Sequence, residues 1–377
     1  MTSVEKVDTS SKAQVRRFIN VPFQFYSDTP QWVPLIRIDV QDMLNRKKHP
    51  FYTHSDADFF IAVRDGKDVG RISVLENRSY NDYHDKKTVN FFLFETEDNL
   101  ETTQALFERA FEWGQARGLD TIVGPKGIGP FDGYGILEKG FEHRQMMTMM
   151  NYNHAYVPKM MEQMGFEKEV DFVSCYLDLK TFKLPERIHR IADRVKQRGS
   201  LEVKKFKNRK ELMPWTTKVG EVYNEAFINN WEYFPLTDKE LEYHIKNVLS
   251  VVNHNLAKVI VHDGDPVGFL LAFPDVSEAI QRSKGLLLPF GIFDMMLEMK
   301  RTNWVAVNGM GILPQYTGRG GNAIMYSELE KTIHQEGFNF EHADLTQVAE
   351  TAVQMRSDLE NLGGKPYKNH RVYRKKI

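Results

Sequence analysis

Residues 59–72 (FFIAVRDGKDVGRI) and 257–270 (AKVIVHDGDPVGFL) share one pattern: an apolar run, Asp-Gly, then a second run entered through Val-Gly. Asp65-Gly66 aligns with Asp263-Gly264 and Val69-Gly70 with Val267-Gly268, an offset of 263 − 65 = 198. Asp-Gly between two such runs predicts a tight β-hairpin, because both turn residues tolerate positive φ. A second match keeps the offset. Residues 161–165 (MEQMG) resemble 359–363 (LENLG), and 359 − 161 = 198. Each reads as a helix end stopped by glycine, followed by a strand over 171–179 or 370–375. Two matches at one offset point to an internal duplication.

Between these landmarks each half has a strand and an amphipathic helix, over 100–117 and over 322–336. An insertion around residues 283–299 displaces the second helix, and the first half restores the count with extra residues after Val123. Each half therefore reads hairpin, strand, helix, strand, helix, strand. The fold class is α/β (α+β), with two tandem domains, each a mixed sheet flanked by helices. The join is expected in the charged stretch 180–202, giving domains 1–182 and 183–377. A chain of 377 residues is long enough for two cores.

Several function classes are excluded by composition. Lys+Arg is 50 against Asp+Glu 51, so there is no global charge to attract nucleic acid, and the basic stretches 204–210 and 371–376 are short. The single cysteine, Cys175, rules out an internal disulfide and a Cys-rich zinc site, and the histidines show no paired ligand spacing; no metal is expected. No Gly-x-Ser-x-Gly elbow occurs. The first residues lack the apolar core of a signal peptide, and no run of about 18 apolar residues is present, so a cytoplasmic protein is expected.

The strongest chemical signal lies in the second half. A strand over 304–313 runs into Pro314 and QYTGRGGN (315–322), and a helix follows at once. Unpaired amides and the helix dipole favour a phosphate at such a junction. Gly318, Gly320 and Gly321 let backbone approach an anion closely, and Arg319 adds a cation. This is neither a Walker loop nor the dinucleotide GxGxxG. The matching region of the first half, 95–103 (ETEDNLETT), has no glycine. It carries Glu95, Glu97, Asp98 and Glu101, which would repel a pyrophosphate.

The order strand-Pro-x-Tyr-x-Gly-Arg-Gly-helix resembles the acyl-CoA loop of the GNAT superfamily of N-acyltransferases. The rest of the second half follows that family's order, and the whole chain resembles a tandem GNAT protein. The resemblance implies a mostly antiparallel twisted sheet in each domain and a degenerate CoA site in the first. It implies acetyl-CoA or a longer acyl-CoA as co-substrate. Backbone groups of Met310, Gly311 and Ile312 would bind the pantetheine arm, and amides over Thr317, Gly318, Arg319, Gly320, Gly321, Asn322 and Ala323 the pyrophosphate. Two positions depart from the family: Thr317 replaces its Gln/Arg, unless Gln315 serves, and Asn322 its third Gly/Ala.

Acyl transfer to an amine needs a base, an oxyanion donor and a proton for the thiolate. Glu350, after the fifth strand of the second half, and Glu225, near the end of its first helix, are the candidate bases. The family's usual acid, a Tyr, falls at Leu359, which leaves Tyr316, Tyr367 and Tyr373 as substitutes. His342 and Asp344 share one face of the fifth strand. The insertion 285–299 (GLLLPFGIFDMMLEM) reads as a helix packed between the domains. It also suits a greasy wall for a long acyl chain or a lipid acceptor at a membrane surface. The tandem group includes proteins similar to bacterial ceramide synthases, which acylate a sphingoid amine. The expected partner is thus a small-molecule or lipid amine, with peripheral membrane contact on the lipid reading. The Met-rich stretch 146–150 and the Gly/Pro-rich loop 124–134 are further candidates for an acceptor channel. A non-catalytic CoA-binding or scaffold protein is the competing class, supported by Thr317, Asn322 and Leu359.

Overall fold

The structure, a computed structural model, describes residues 2–377 apart from 130, 131, 147–149, 232 and 336, and not the side chains of 248–251 and 335. Part of the Met-rich stretch, and part of the loop 124–134, therefore lie outside the described residues. The strands, in chain order, are β1 (Ser3–Lys6), β2 (Asp56–Arg64), β3 (Lys67–Glu76), β4 (Thr88–Thr96), β5 (Thr121–Gly124), β6 (Ile136–Lys139), β7 (Glu167–Asp178), β8 (Glu202–Lys204), β9 (Lys258–His262), β10 (Asp265–Pro274), β11 (Trp304–Ile312), β12 (His342–Ala349) and β13 (Lys365–Lys376). The chain forms two compact units. Unit 1 comprises residues 1–173, 276–296 and 367–377; unit 2 comprises 174–275 and 297–366.

Both expected hairpins form. β2 pairs antiparallel with β3 around Asp65 and Gly66 at φ 52° and 75°, and β9 with β10 around Asp263 and Gly264 at φ 50° and 87°. Two positive φ values in sequence match the right-handed twist of the strands they join.

In unit 1 the strand order is β1-β2-β3-β4-β5-β13, and β6 also pairs with β13. Alternate residues of β2 face opposite sides of this sheet. Phe60 and Ala62 join Ile72, Val89 and Phe91 under helix Leu100–Gln115, which contributes Leu106, Phe107, Ala110 and Trp113. Phe59 and Ile61 pack on the other face with Val15 and Phe18 of helix Lys12–Asn20. A central strand covered on both faces needs a continuous apolar run, which is why FFIAV does not alternate with polar residues.

In unit 2 the order is β12-β11-β10-β9-β8. Helix Thr216–Ala226 lies against β10 and β11, and helices Glu186–Arg198 and Gly321–Gln335 pack together, with Lys196 bonded to Glu328 at 2.5 Å. Relative to the halves of the repeat, the units exchange closing strands. The end of β7 from Ser174 belongs to unit 2, where the Leu179 amide donates to the Glu341 carbonyl. β13 from Tyr367 belongs to unit 1, where it pairs with β5 over Tyr373↔Gly124 to Lys376↔Thr121.

The insertion forms helix Gly291–Arg301. Phe293 is 63% exposed and Met296 56%, and Phe290, just before the helix, is 78% exposed.

Candidate functional site

Two parallel strands part company in unit 2, and the candidate site is built there. β11 and β12 pair from Trp304↔His342 to Val307↔Leu345 and no further. β11 continues to Ile312 along β10, but its register with β10 slips: Val307 faces Ala272 and Met310 faces Leu270. Three steps on one strand against two on the other place an extra residue in β11 at Asn308–Gly309, and Gly309 has φ 92°. Such a bulge bends a strand and re-aims its peptide groups. Beyond Val307, the peptide groups on the β12 side have left the ladder, and backbone polar groups need another partner. Met310, Gly311 and Ile312 lie on this stretch.

The gap is closely walled. A Cβ on Gly311 would come within 2.9 Å of the Phe227 ring, 3.0 Å of Ala226 and 3.1 Å of Phe269. Tyr223 stacks on Phe227 at 4.7 Å, and burial pushes its phenol well above the ordinary range. The Tyr223–Phe227–Phe269 cluster was not singled out from the sequence; the i, i+4 spacing of Tyr223 and Phe227 on a helix was the available signal.

At the end of β11 the chain makes a short turn at Pro314–Tyr316, then Thr317, Gly318 (φ 75°), Arg319 and Gly320 (φ 87°) lead into helix Gly321–Gln335. The first intrahelical bond runs from the Ile324 amide to the Gly320 carbonyl at 3.2 Å. The amides of Gly321, Asn322 and Ala323 precede it, so the helix itself supplies them no acceptor. The Arg319 amide is turned back to the Tyr316 carbonyl at 3.4 Å. A Cβ on Gly318 would meet nothing within 4 Å, so this point of the loop is open. On Gly320 it would lie 2.7 Å from Val195, and on Gly321 2.8 Å from Ile260; the loop base is pinned by its neighbours. Arg319 is exposed, with its guanidinium 5.0 Å from the Tyr316 ring centre. Backbone donors, an open glycine and a cation at a helix start suit a phosphate ester. Asn322, the departure from the family pattern, directs its side chain elsewhere: its amide donates to Asp358 at 2.7 Å, tying the helix to Val353–Asn361.

The remaining sequence-derived residues are dispersed. Glu350 directly follows β12 and is half-buried at its open end, past Gln347, whose φ of 41° is rare for a non-glycine. Glu225 is exposed on helix Thr216–Ala226, on the side opposite Tyr223 and Phe227. His342 and Asp344 sit where β11 and β12 are still paired; His342 meets the Tyr176 hydroxyl at 2.7 Å and Asp344 is fully buried. Leu359 is a core residue, 6% exposed. Tyr316 lies 5.2 Å from the His262 ring. Tyr367 and Tyr373 belong to unit 1. Tyr373 is buried, its hydroxyl donates to Glu138, and burial with that carboxylate pushes its pKa up. The structure thus groups Met310–Ile312, Thr317–Ala323 and Glu350 at one end of the unit 2 sheet.

Unit 1 repeats the splay without the cradle. β4 and β5 pair only over Thr88↔Thr121 to Asn90↔Val123, and the β3–β4 register gains a residue in β4 near Leu93, which has φ 44°. The helix start that follows is satisfied internally. Asn99 accepts the amides of Glu101 and Thr102, and Glu97 holds the Thr102 hydroxyl and Arg64. Glu95 is bonded to Arg71, which is 2% exposed. This ion pair and the side chains of Trp32, Leu93, Phe94 and Tyr152 line a pocket.

No family model matches the chain. It is 27% identical over 384 residues to the bacterial ceramide synthase of Caulobacter vibrioides, covering 98% of this chain and 97% of that protein. It is 25% identical to protein YghO of Escherichia coli (strain K12), covering 97% and 94%. Among solved structures it is similar to a tandem GNAT protein from the clavulanic acid biosynthesis pathway, with TM-score 0.60 and 11% identity, covering all of this chain and 98% of that one. The fold is therefore that of a tandem GNAT protein.

Proposed function

We propose that this chain is an acyl-CoA-dependent N-acyltransferase whose donor site lies in the half 183–377, the half 1–182 having a degenerate site. The observation that carries the reading is the junction of a bulged, splayed β11 with the Thr317–Ala323 loop at a helix start. There the backbone offers donors first to an extended arm and then to a pyrophosphate. Acetyl-CoA or a longer acyl-CoA supplies the activated acyl group as a thioester.

The chemistry asked of the protein is modest. The amine nitrogen bonds to the thioester carbonyl carbon, the carbon–sulfur bond breaks, and the proton lost by nitrogen ends on the departing sulfur. Glu350, at the open end of β12, is assigned the proton acceptance, with Glu225 second. Peptide N–H groups of Met310–Ile312 freed from the ladder are assigned to the carbonyl oxygen as charge develops. Tyr373, which belongs to unit 1 and whose hydroxyl donates to Glu138, is given no step at this site.

The acceptor is assigned as a long-chain amine of the sphingoid type. Support comes from similarity along 98% of the chain to a protein named bacterial ceramide synthase. A cytoplasmic location beside an acyl-CoA pool fits the same reading. The second reading, a CoA-binding protein without catalysis, draws on buried Leu359 where the family places a tyrosine. Thermal unfolding with free CoA, acetyl-CoA and a long-chain acyl-CoA tests the donor site. A ligand at about 100 times its Kd adds about 2.7 kcal/mol to the folded state, a rise of a few degrees. No rise with any of the three removes the cradle and the function built on it.

A further inference from the structure

Large apolar side chains exposed to solvent are concentrated in one place. Among the described residues thirteen are exposed, and eight of these lie in unit 1 on two adjoining segments: Leu35 and Ile38, and Leu286, Leu288, Phe290, Ile292, Phe293 and Met296. The segments are fastened together. The Arg37 amide donates to the Gly285 carbonyl at 3.0 Å, its side chain to the Lys284 carbonyl at 2.9 Å, and Gln281 donates to the Trp32 carbonyl at 2.7 Å.

We propose that this patch docks the protein on the surface of an anionic lipid bilayer. The shape fits insertion rather than packing. Leu288 and Phe290 stand at the tip of a turn, 74% and 78% exposed. Ile292, Phe293 and Met296 continue from it along one side of helix Gly291–Arg301, while Met295 and Glu298 turn inward, 8% and 4% exposed. A helix that shows its apolar side to solvent and keeps its carboxylates, Asp294 and Glu298, off that side is built to lie in an interface. At 11 residues it is too short to span a bilayer.

The charges agree. Every carboxylate of residues 276–301 faces an arginine: Glu278 with Arg144, Asp294 with Arg282 and Glu298 with Arg301. Lys284, Lys300 and Arg37 outnumber Asp39, the carboxylate beside Ile38, and Arg37 contacts neutral partners, the Lys284 carbonyl, the Asn20 amide oxygen and the Phe23 ring. Surplus cations beside an apolar tip attract acidic headgroups. A second copy of the chain is the less favoured occupant. Of the other five, Leu297 follows Met296 on the same helix, and Tyr83, Met213, Ile228 and Val353 are single and lie on separate elements. A copy would therefore have to meet the patch with the same patch, bringing like charges together. The proposal gains its use from the lipid-amine reading, since an insoluble acceptor is reached at a membrane, but its observations do not depend on that reading.

Sedimentation of the full chain with vesicles tests it, without acyl-CoA and without any activity reading, so a failure of the donor site leaves the result untouched. The probes are phosphatidylcholine vesicles and phosphatidylcholine vesicles with phosphatidylglycerol added. The wild type is expected to sediment with the mixed vesicles and less with the neutral ones. The double variant Leu288→Glu/Phe290→Glu, at exposed positions, is expected to keep the wild-type melting point and to partition at least about tenfold less. Val353→Glu, exposed on a separate helix, is expected to sediment like the wild type. The proposal is overturned if the wild type stays in solution with both vesicles, or if the double variant sediments unchanged. It is also overturned if the double variant's main effect is to abolish a concentration-dependent dimer.

Discussion

Replacing Thr317 by glutamate should weaken CoA binding without unfolding the protein. Thr317 is exposed, and its φ of −62° and ψ of 142° suit any residue except glycine's special cases, so the change adds charge with little strain. Its neighbour Gly318 begins the open part of the loop. A carboxylate placed about 5 Å from a pyrophosphate opposes each of its charges by roughly 1 kcal/mol in a water-like dielectric and by more in a protein-like one. Two charges give about 2 kcal/mol, equivalent to a rise in Kd of about 30-fold. Thr317→Gln, nearly the same size and neutral, should bind CoA within about twofold of wild type. Salt provides an internal control: the screening length shrinks from about 8 Å at physiological salt to about 3 Å at 1 M, so the gap between the variants should narrow. Calorimetric titration with CoA reads all of this. If the glutamate and glutamine variants bind alike at low salt, the loop does not hold the pyrophosphate and the argument from its geometry is wrong.

Other outcomes follow from single residues. Gly318→Ala should destabilise unit 2 by about 1 kcal/mol, for positive φ alone. Gly320→Ala adds a Cβ 2.7 Å from Val195 to the same strain and should reach about 2–4 kcal/mol, readable in urea midpoints. His370 should make the fold acid-sensitive: burial, chiefly, lowers its pKa from 6.5 to about 4. The unfolded chain then binds the proton first, so this stability is complete above pH 6.5 and is lost as pH falls towards 4, amounting to about 2 kcal/mol at pH 5. Asp39 and Asp132, raised by burial to about 6, act in the opposite sense, so the clean comparison is His370→Gln against wild type in urea at about pH 5 and 7.5. The stability difference between them should shift by that amount. Glu350→Gln should lower kcat by about 100-fold or more with little change in KM for acyl-CoA, whereas Glu225→Gln should do so only if the second assignment is right.

What could be read from the sequence was local. Asp-Gly hairpins announce themselves because two consecutive positive φ values are tolerated by few residue pairs, and Asp65-Gly66 and Asp263-Gly264 adopt them. The loop 317–323 was legible for the same reason, since glycine at Gly318 and Gly320 is required by φ 75° and 87°. What escaped depends on partners far along the chain. The extra residue in β11 exists only relative to β10, and nothing in WVAVNGMGI marks it apart from Gly309. The exchange of closing strands is equally invisible: 171–179 and 370–375 read as strands of either unit. The apolar run 285–299 reads equally as a packed helix or as a greasy wall at a membrane surface, because composition reports greasiness, not which side meets solvent. Asn322, which looked like a defect in the loop, has a contact to Asp358 that only the packed helices reveal.

The most direct measurement is transfer itself. Purified protein is given a long-chain acyl-CoA and a sphingoid amine, and thiol release and amide formation are followed together. The account predicts that both rise in step, that both require the amine, and that Thr317→Glu raises the acyl-CoA concentration needed for half-maximal rate. Tight CoA binding with neither thiol nor amide appearing, across short- and long-chain thioesters and amines, would contradict it and leave a binding protein on a transferase fold.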